Sequence, residues 1–191
     1  TTAPTINSVT SSTSDGTYIV GDSISISVAF SESVTVDTTD GTPTLELETG
    51  STNRTATYSS GSGSSTLVFT YTVQAGDTSS DLDYTSTSAL SLNSGTIKDA
   101  AGNNATLTLP TVGGSSSLAG SSALVIDATA PAITGPSGSA GDTTSSILIE
   151  EEYTTVHTFT ADEAVAWSLN SGADQSLLTI NSSTGVLAFA T

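Results

Sequence analysis

Apolar and polar residues alternate along several short stretches of this chain. Every second residue is apolar from position 24 to 30 and again from 67 to 73, which places the apolar side chains on one side of an extended strand. Shorter stretches of similar character predict further strands. The predicted strands are 23–30, 44–48, 55–59, 66–73, 106–109 and 123–126, followed by 146–149, 156–160, 164–169, 177–180 and 186–190.

Turn-forming residues separate the predicted strands. They occur at Asp40-Gly41, Gly61-Ser62-Gly63, Gly76-Asp77, Asn93-Ser94-Gly95 and Gly102-Asn103. Glycine and asparagine favour tight turns because they adopt backbone conformations that other residues disfavour. No stretch carries the spacing of an amphipathic helix. Short strands joined by such turns predict an all-β fold, and an antiparallel β-sandwich in particular.

The opening of the chain is echoed later in the sequence. Ala3-Pro4-Thr5-Ile6 returns as Ala130-Pro131-Ala132-Ile133, 127 residues later, and a Gly-Asp pair follows each copy, at 21–22 and 141–142. The run Phe-Ser-Glu-Ser-Val at 30–34 is answered by Phe-Thr-Ala-Asp-Glu-Ala-Val at 159–165. This repetition predicts a sandwich at 1–127 and a second, incomplete β-module at 128–191, cut from a longer array. Chance similarity in a chain rich in serine and threonine is the alternative.

The charge of the chain restricts its partners. The formal net charge is −17, with 19 acidic residues against two basic ones, Arg54 and Lys98. Nucleic acids and membrane insertion are not expected, because cationic side chains bind nucleic acids and anionic bilayers, and no apolar run is long enough to span a bilayer. The absence of cysteine excludes disulfides and thiolate metal sites. Metal cations remain possible partners of this acidic chain, since a bound metal ion would offset the repulsion among the carboxylates.

Five passages of the first module, at 30–32, 73–77, 81–84, 97–103 and 125–127, resemble the bacterial Ig-like repeats of giant secreted surface proteins and RTX-type adhesins. Passages of the second module, at 166–169, 172–174, 178–180 and 183–187, look like the first half of a cadherin-like repeat. The resemblance implies tandem antiparallel Ig-like and cadherin-like β-sandwich modules. It also implies an extracellular rod at the bacterial cell surface, with calcium stiffening the junctions between domains.

Carboxylates near strand ends are candidate ligands for that calcium, because calcium prefers oxygen ligands. Asp127 follows the last predicted strand of the first module and opens a short linker that Pro131 restricts. Glu32 and Glu163 hold matching places in the two modules, and the loop of Glu163 is expected to meet Asp127. A solvated carboxylate is the alternative for each of the three.

Two further groups of carboxylates are candidate calcium loops. Asp77, Asp81 and Asp83 fall close together in sequence, and Asp99 opens a tight turn that contains Gly102. Aspartates also occur in turns because they hydrogen-bond to the nearby backbone, and this alternative fits both groups equally well.

Catalysis has little support in the sequence. His157 is the only histidine, and it lies in a predicted strand rather than beside a candidate nucleophile. The aromatic residues, among them Trp167 and Tyr153, are scattered, whereas a glycan-binding surface needs an aromatic patch. The sequence predicts a non-catalytic structural or adhesive spacer, with neighbouring repeats or copies of itself as partners. A filament or surface-layer subunit and a module that binds surface glycans or a protein partner are the alternatives.

Overall fold

The computed structural model of the chain describes residues 2–150, 153–172 and 174–190. The chain divides into two compact units, Thr1–Thr129 and Ala130–Thr191. Strands dominate the regular structure of both units, which confirms the all-β class. In the described ranges, no helix has both the length and the apolar character needed to cross a membrane.

The first unit is built on a seven-stranded sheet with the order β1-β3-β6-β5-β4-β8, in which β9 pairs with the far end of β3. A three-stranded sheet, with the order β2-β10-β7, accompanies it. The elements are β1 Ile6–Ser11, β2 Gly16–Tyr18, β3 Ser23–Asp37, β4 Thr44–Leu47, β5 Arg54–Ser60, β6 Ser64–Thr72, β7 Thr78–Ser79, β8 Leu90–Ser91, β9 Thr96–Lys98, the short helix α1 Leu118–Ser121, and β10 Leu124–Asp127.

The core of the first unit follows from the alternation along β3 and β6. Ile26 pairs with Phe69 in the antiparallel ladder, and both side chains are fully buried. Ser27, the next residue along β3, lies on the opposite face of the sheet and is partly exposed. Leu124 and Ile126 of β10 belong to the same buried cluster. The core therefore draws side chains from both sheets, as in a β-sandwich.

Two local features of the first unit differ from the expectation of an all-antiparallel arrangement. Strand β10 runs parallel to β2, with Leu124 opposite Gly16 and Ile126 opposite Tyr18. The helix α1 also interrupts the strands; the side chain of Ser117 accepts a hydrogen bond from the Gly120 amide and so caps it. A four-residue helix is too short to produce a helical period in the sequence.

The predicted strand at 106–109 is wrong. Its backbone amides donate to scattered loop carbonyls, from Thr106 to Pro4 and from Leu109 to Thr87, rather than to one neighbouring strand. Leu109 is buried all the same. The apolar spacing of this segment therefore reflects burial of a loop that is not paired with a neighbouring strand. Spacing alone does not distinguish a buried loop from a buried strand.

The second unit contains two small sheets. One pairs β11 (Ile133–Thr134) with β13 (Thr160–Ala161); the other has the order β12 (Thr155–Thr158), β15 (Val186–Phe189) and β14 (Leu178–Ile180), with a 3₁₀ turn at Gln175–Leu177. The predicted strands at 146–149 and 164–169 are wrong, since neither segment is a strand. Among the described residues, every side chain of the buried apolar core belongs to the first unit.

One backbone arrangement occurs in both units. The Ser31 amide donates to the Thr5 carbonyl at 2.8 Å, and the Ser31 hydroxyl accepts from the Thr5 amide at 3.0 Å. In the second unit the Asp162 amide donates to the Ala132 carbonyl at 3.3 Å, and the Asp162 carboxylate accepts from the Ala132 amide at 2.8 Å. The echo between the two modules is thus accompanied by matching hydrogen bonds.

This correspondence refines the alignment of the two modules. Because Ser31 matches Asp162, Glu32 matches Glu163, as the sequence predicts. Phe30, however, matches Ala161 rather than Phe159, since Phe30 pairs with Ile6 and Ala161 pairs with Ile133. The second module therefore has four extra residues before the matched position, because Thr5 and Ser31 are 26 positions apart whereas Ala132 and Asp162 are 30 apart.

The Gly-Asp pairs form one kind of turn, and it occurs three times. In the segments 19–22, 74–77 and 139–142 the first amide donates to Oδ2 of the aspartate, at 2.9, 2.9 and 2.7 Å, and the aspartate amide donates back to the first carbonyl. The glycine φ is 93° in Gly21 and 85° in both Gly76 and Gly141, a region that favours glycine. Two of the three turns lie in the first unit. The Gly-Asp pair therefore indicates a type of turn and is weak evidence for a repeat of the module.

Candidate metal-binding site

Asp77 lies in the second of these turns and is 1 % exposed. Its Oδ1 accepts a hydrogen bond from Arg54 Nε at 2.7 Å, in the salt bridge between the two side chains. Its Oδ2 accepts from the Tyr71 hydroxyl at 2.6 Å and from the Gln74 amide at 2.9 Å. Donors within the protein therefore occupy both oxygens of this carboxylate.

The surroundings of Asp77 shift the acidities of two groups. Burial by itself raises the pKa of Asp77, but the hydrogen bonds from Tyr71 and Arg54 favour the charged form and leave that pKa below its ordinary value. Burial, followed by the hydrogen bond to Asp77, raises the pKa of Tyr71. The three side chains thus form a charge-assisted hydrogen-bond cluster around the buried Asp77 carboxylate, which we call the Asp77 cluster.

Asp83 also uses its carboxylate within the fold. Oδ1 accepts from the Tyr84 amide and Oδ2 from the Gly113 amide, each at 2.9 Å. The Tyr84 hydroxyl donates to the Pro110 carbonyl at 2.6 Å, and burial, together with the nearby charge of Asp83, raises the pKa of Tyr84 to about 12. Asp83 and Tyr84 therefore fix the loop that contains Pro110 and Gly113. Asp81, in contrast, is exposed.

Asp99 forms the tight turn expected from its sequence. Its Oδ1 accepts from the amides of Ala101 and Asn103, at 2.9 and 2.8 Å, and Oδ2 accepts from the Asn103 side chain at 2.6 Å. These bonds, with the Asn103 side chain contributing most, hold the pKa of Asp99 below its ordinary value. The geometry is that of an aspartate that hydrogen-bonds to its own turn.

Glu32 and Glu163 are both exposed. Glu32 lies in β3 where the register with β6 shifts, between Ala29 and Val34. Glu163 follows Asp162 at a bend of the second unit. Within the described part of the chain, no hydrogen bond to either carboxylate is found, so both are available to solvent or to a cation.

Asp127 ends β10 and is partly exposed. Its Oδ1 accepts a hydrogen bond from the Thr129 hydroxyl at 3.0 Å. The backbone of this region is tied to the turn of Asp77, because the Ala128 amide donates to the Asp77 carbonyl at 3.0 Å and the Gly76 amide donates to the Ala128 carbonyl at 2.8 Å. Asp127 thus belongs to the first unit, whereas Glu163 belongs to the second.

Across residues 2–150, 153–172 and 174–190, no group of three or more acidic or histidine side chains is arranged to hold a metal ion. Asp77, Asp83 and Asp99 act as hydrogen-bond acceptors in the fold. Exposed carboxylates remain at Asp81, Glu32 and Glu163, and a partly exposed one remains at Asp127. Calcium would have to bind one or two of these carboxylates and take its other oxygen ligands from water or carbonyl groups.

Sequence reasoning missed the Asp77 cluster. Arg54 is 23 positions from Asp77, and only the pairing of β5 with β6 and the turn after β6 bring them together. One signal was present: Arg54 is one of only two basic residues in a strongly acidic chain, which favours an ion pair with a carboxylate. The ring of His157 packs edge-on against Phe159, with ring centres 5.1 Å apart.

The aromatic side chains of the first unit are used mainly for packing. Tyr71 and Tyr84 are buried, and Tyr58 lies edge-on against Phe69. On the outer face of the large sheet a row of hydroxyl residues crosses five strands, formed by Ser25, Thr70, Thr57, Thr44 and Ser91. This face is therefore polar rather than aromatic.

Comparison with known proteins yields no relative. No protein-family model matches the chain, and no curated protein and no solved structure matches it. The function of the chain is therefore inferred from its fold and from the residues described above.

Proposed function

We propose that this chain is a non-catalytic structural or adhesive spacer, formed by β-modules in series within a large repetitive protein outside a bacterial cell. The observation that carries the proposal is the matching pair of hydrogen-bonded contacts, Thr5 with Ser31 and Ala132 with Asp162. Recurrence of one arrangement in two consecutive units is typical of tandem arrays.

The use of the acidic residues supports a structural role. The carboxylates of Asp77, Asp83 and Asp99, which are candidate calcium ligands in the sequence, accept hydrogen bonds that fix turns and loops. A serine- and threonine-rich surface with a strongly acidic balance also keeps a long extracellular array soluble and separate from other anionic polymers.

Calcium binding that stiffens the junction is the second part of the proposal. Asp127 supports it best, because this carboxylate stands at the end of β10, is partly exposed and accepts only the Thr129 hydroxyl among the described residues. Calcium bound to the folded state stabilises that state by mass action, whatever the number of protein ligands.

Thermal unfolding in EDTA and in millimolar calcium tests this part. We expect calcium to raise the melting temperature of the chain and the Asp127→Ala variant to lose most of that rise. Asp40→Ala removes an exposed carboxylate from a different turn and serves as the matched control, with the rise retained. An equal melting temperature in EDTA and calcium for the parent chain would contradict calcium stiffening.

A filament or surface-layer subunit is the second candidate function. The exposed apolar side chains of the second unit favour it: Leu148 is fully exposed, Tyr153 is 64 % exposed and Leu177 is 59 % exposed. Exposed apolar groups of this size commonly mark association surfaces. Light scattering over a range of concentrations should show self-association that Leu148→Ser weakens and Val20→Ser, an exposed apolar site of the first unit, does not. A chain that stays monomeric throughout contradicts this second candidate.

A further inference from the structure

Strands near the two ends of the first unit lie side by side and run in the same direction. β2 pairs with β10 in parallel, with Gly16 opposite Leu124 and Thr17 opposite Val125. The chain therefore enters this strand pair at one end, through β2, and leaves it at the other end, through Asp127. Antiparallel neighbours would instead have placed the entry and the exit at the same end.

Additional hydrogen bonds tie both ends of β10 to the rest of the first unit. Before the strand, the Gly16 amide donates to the Ala123 carbonyl at 3.0 Å, and the Ala123 amide donates to the Asp15 carboxylate at 2.8 Å. After the strand, Ala128 exchanges two backbone hydrogen bonds with Gly76 and Asp77, at 2.8 and 3.0 Å. β10 is thus bonded before, along and after its length.

The direction of the strands determines how they respond to tension. When the chain is pulled from its two ends, parallel strands with opposite exits are loaded along their axes, and all the hydrogen bonds between them carry force together. When such strands are pulled from the same end, the bonds break one after another. Resistance is larger in the first geometry, because several bonds must break in one event.

We propose that β2 and β10, with Asp15 and the Ala128 contacts, form a force-bearing terminal clamp that keeps the first unit folded when the chain is stretched. The inference rests on the proposed function only in that a spacer in an array is the setting in which such tension arises. The Asp77 cluster contributes to the clamp, because it fixes the turn to which Ala128 is bonded.

Single-molecule stretching of the full chain from two attachment geometries tests the clamp. The chain has no cysteine, so introduced cysteines give unique attachment points. Ser14→Cys with Thr129→Cys loads β2 and β10 along their axes, because Ser14 is exposed and lies after β1, directly before β2. Val20→Cys with Thr129→Cys pulls both strands from their C-terminal ends, since Val20 follows β2 and is 54 % exposed.

We expect the first unit to unfold at a several-fold higher force in the 14–129 geometry than in the 20–129 geometry at the same pulling speed. All attachment points lie in the first unit, so the second unit carries no load. Both double variants must melt at the temperature of the parent chain, so that a difference in force reports geometry and not stability. Equal forces, or a higher force in the 20–129 geometry, would overturn the clamp.

The same experiment separates the clamp from the proposed function. Measured in EDTA, the ratio of the two forces does not depend on calcium, on further repeats or on the cellular setting. A chain that shows no calcium effect but keeps the force ratio contradicts the calcium-stiffened spacer and retains the clamp. The opposite result contradicts the clamp and retains the spacer.

Discussion

The Tyr71 hydroxyl donates a hydrogen bond of 2.6 Å to Oδ2 of Asp77, in the interior of the first unit. The opposite oxygen of the same carboxylate receives Arg54 Nε at 2.7 Å. One buried side chain therefore joins the end of β6, the start of β5 and the turn that contacts Ala128. The effects of this arrangement on stability and pH dependence can be measured.

Asp77→Asn should destabilise the first unit by roughly 2–3 kcal/mol, because the amide keeps the shape but loses the charge and places an N–H₂ against a donor. Urea unfolding followed by tyrosine fluorescence measures the change. Asp40→Asn, at an exposed turn position, is the matched control and should have a much smaller effect. Equal effects of the two substitutions would show that the Asp77 cluster contributes nothing specific.

Acid should destabilise the parent chain partly through Asp77. Its pKa in the folded state lies below the ordinary value of 3.8, so folding favours the charged form. The stabilisation is present above about pH 4 and is lost as the pH falls through the lower folded-state pKa. Unfolding free energies measured from pH 5 down to pH 2 should therefore fall less steeply in Asp77→Asn than in the parent. Parallel curves would contradict this assignment.

Alkaline pH should destabilise the parent chain partly through Tyr84. Burial raises the pKa of this phenol to about 12 from its ordinary value of 10.0, so folding favours the protonated form. The stabilisation is present below about pH 10 and is lost as the pH rises towards 12. Tyr84→Phe should flatten the loss of stability over this window, as measured by denaturant unfolding at fixed pH values. Tyr153→Phe, an exposed site of the second unit, should leave the slope unchanged.

The two faces of the large sheet should differ sharply in how much a substitution lowers the free energy of unfolding. Phe69→Ala empties a fully buried position and should cost roughly 3–5 kcal/mol, whereas Ser27→Ala, on the outer face, should stay within about 0.5 kcal/mol. Phe189→Ala in the second unit should cost much less than Phe69→Ala, because Phe189 is 46 % exposed. Chemical denaturation of the three variants checks the order.

Two glycines of the β5–β6 turn form a matched pair. Gly61 and Gly63 have φ values of 103° and 87°, so alanine is strained at both. A Cβ on Gly61 would lie 2.2 Å from the Thr66 carbonyl oxygen, whereas a Cβ on Gly63 meets nothing within 4 Å. Gly63→Ala should cost about 1–2 kcal/mol and Gly61→Ala clearly more. Similar melting temperatures for the two variants would contradict the close approach at Gly61.

The spacing of apolar residues along the chain is sufficient to predict the strands that bury one face in the core. Positions 23–30 and 66–73 carry an apolar residue at every second position, because a half-buried strand turns every second side chain inward. β3 and β6 confirm both predictions. The matching of Glu32 with Glu163 was also readable, since a short motif repeats around each of them.

Features that depend on residues far apart in sequence become visible only in the tertiary structure. The parallel pairing of β10 with β2 joins positions more than a hundred residues apart, and no local pattern encodes the direction of a neighbour. The role of Asp77 was open for the same reason: a carboxylate in a Gly-Asp turn binds a metal ion or an arginine side chain according to what the fold places beside it. Arg54 occupies that place, because β5 pairs with β6.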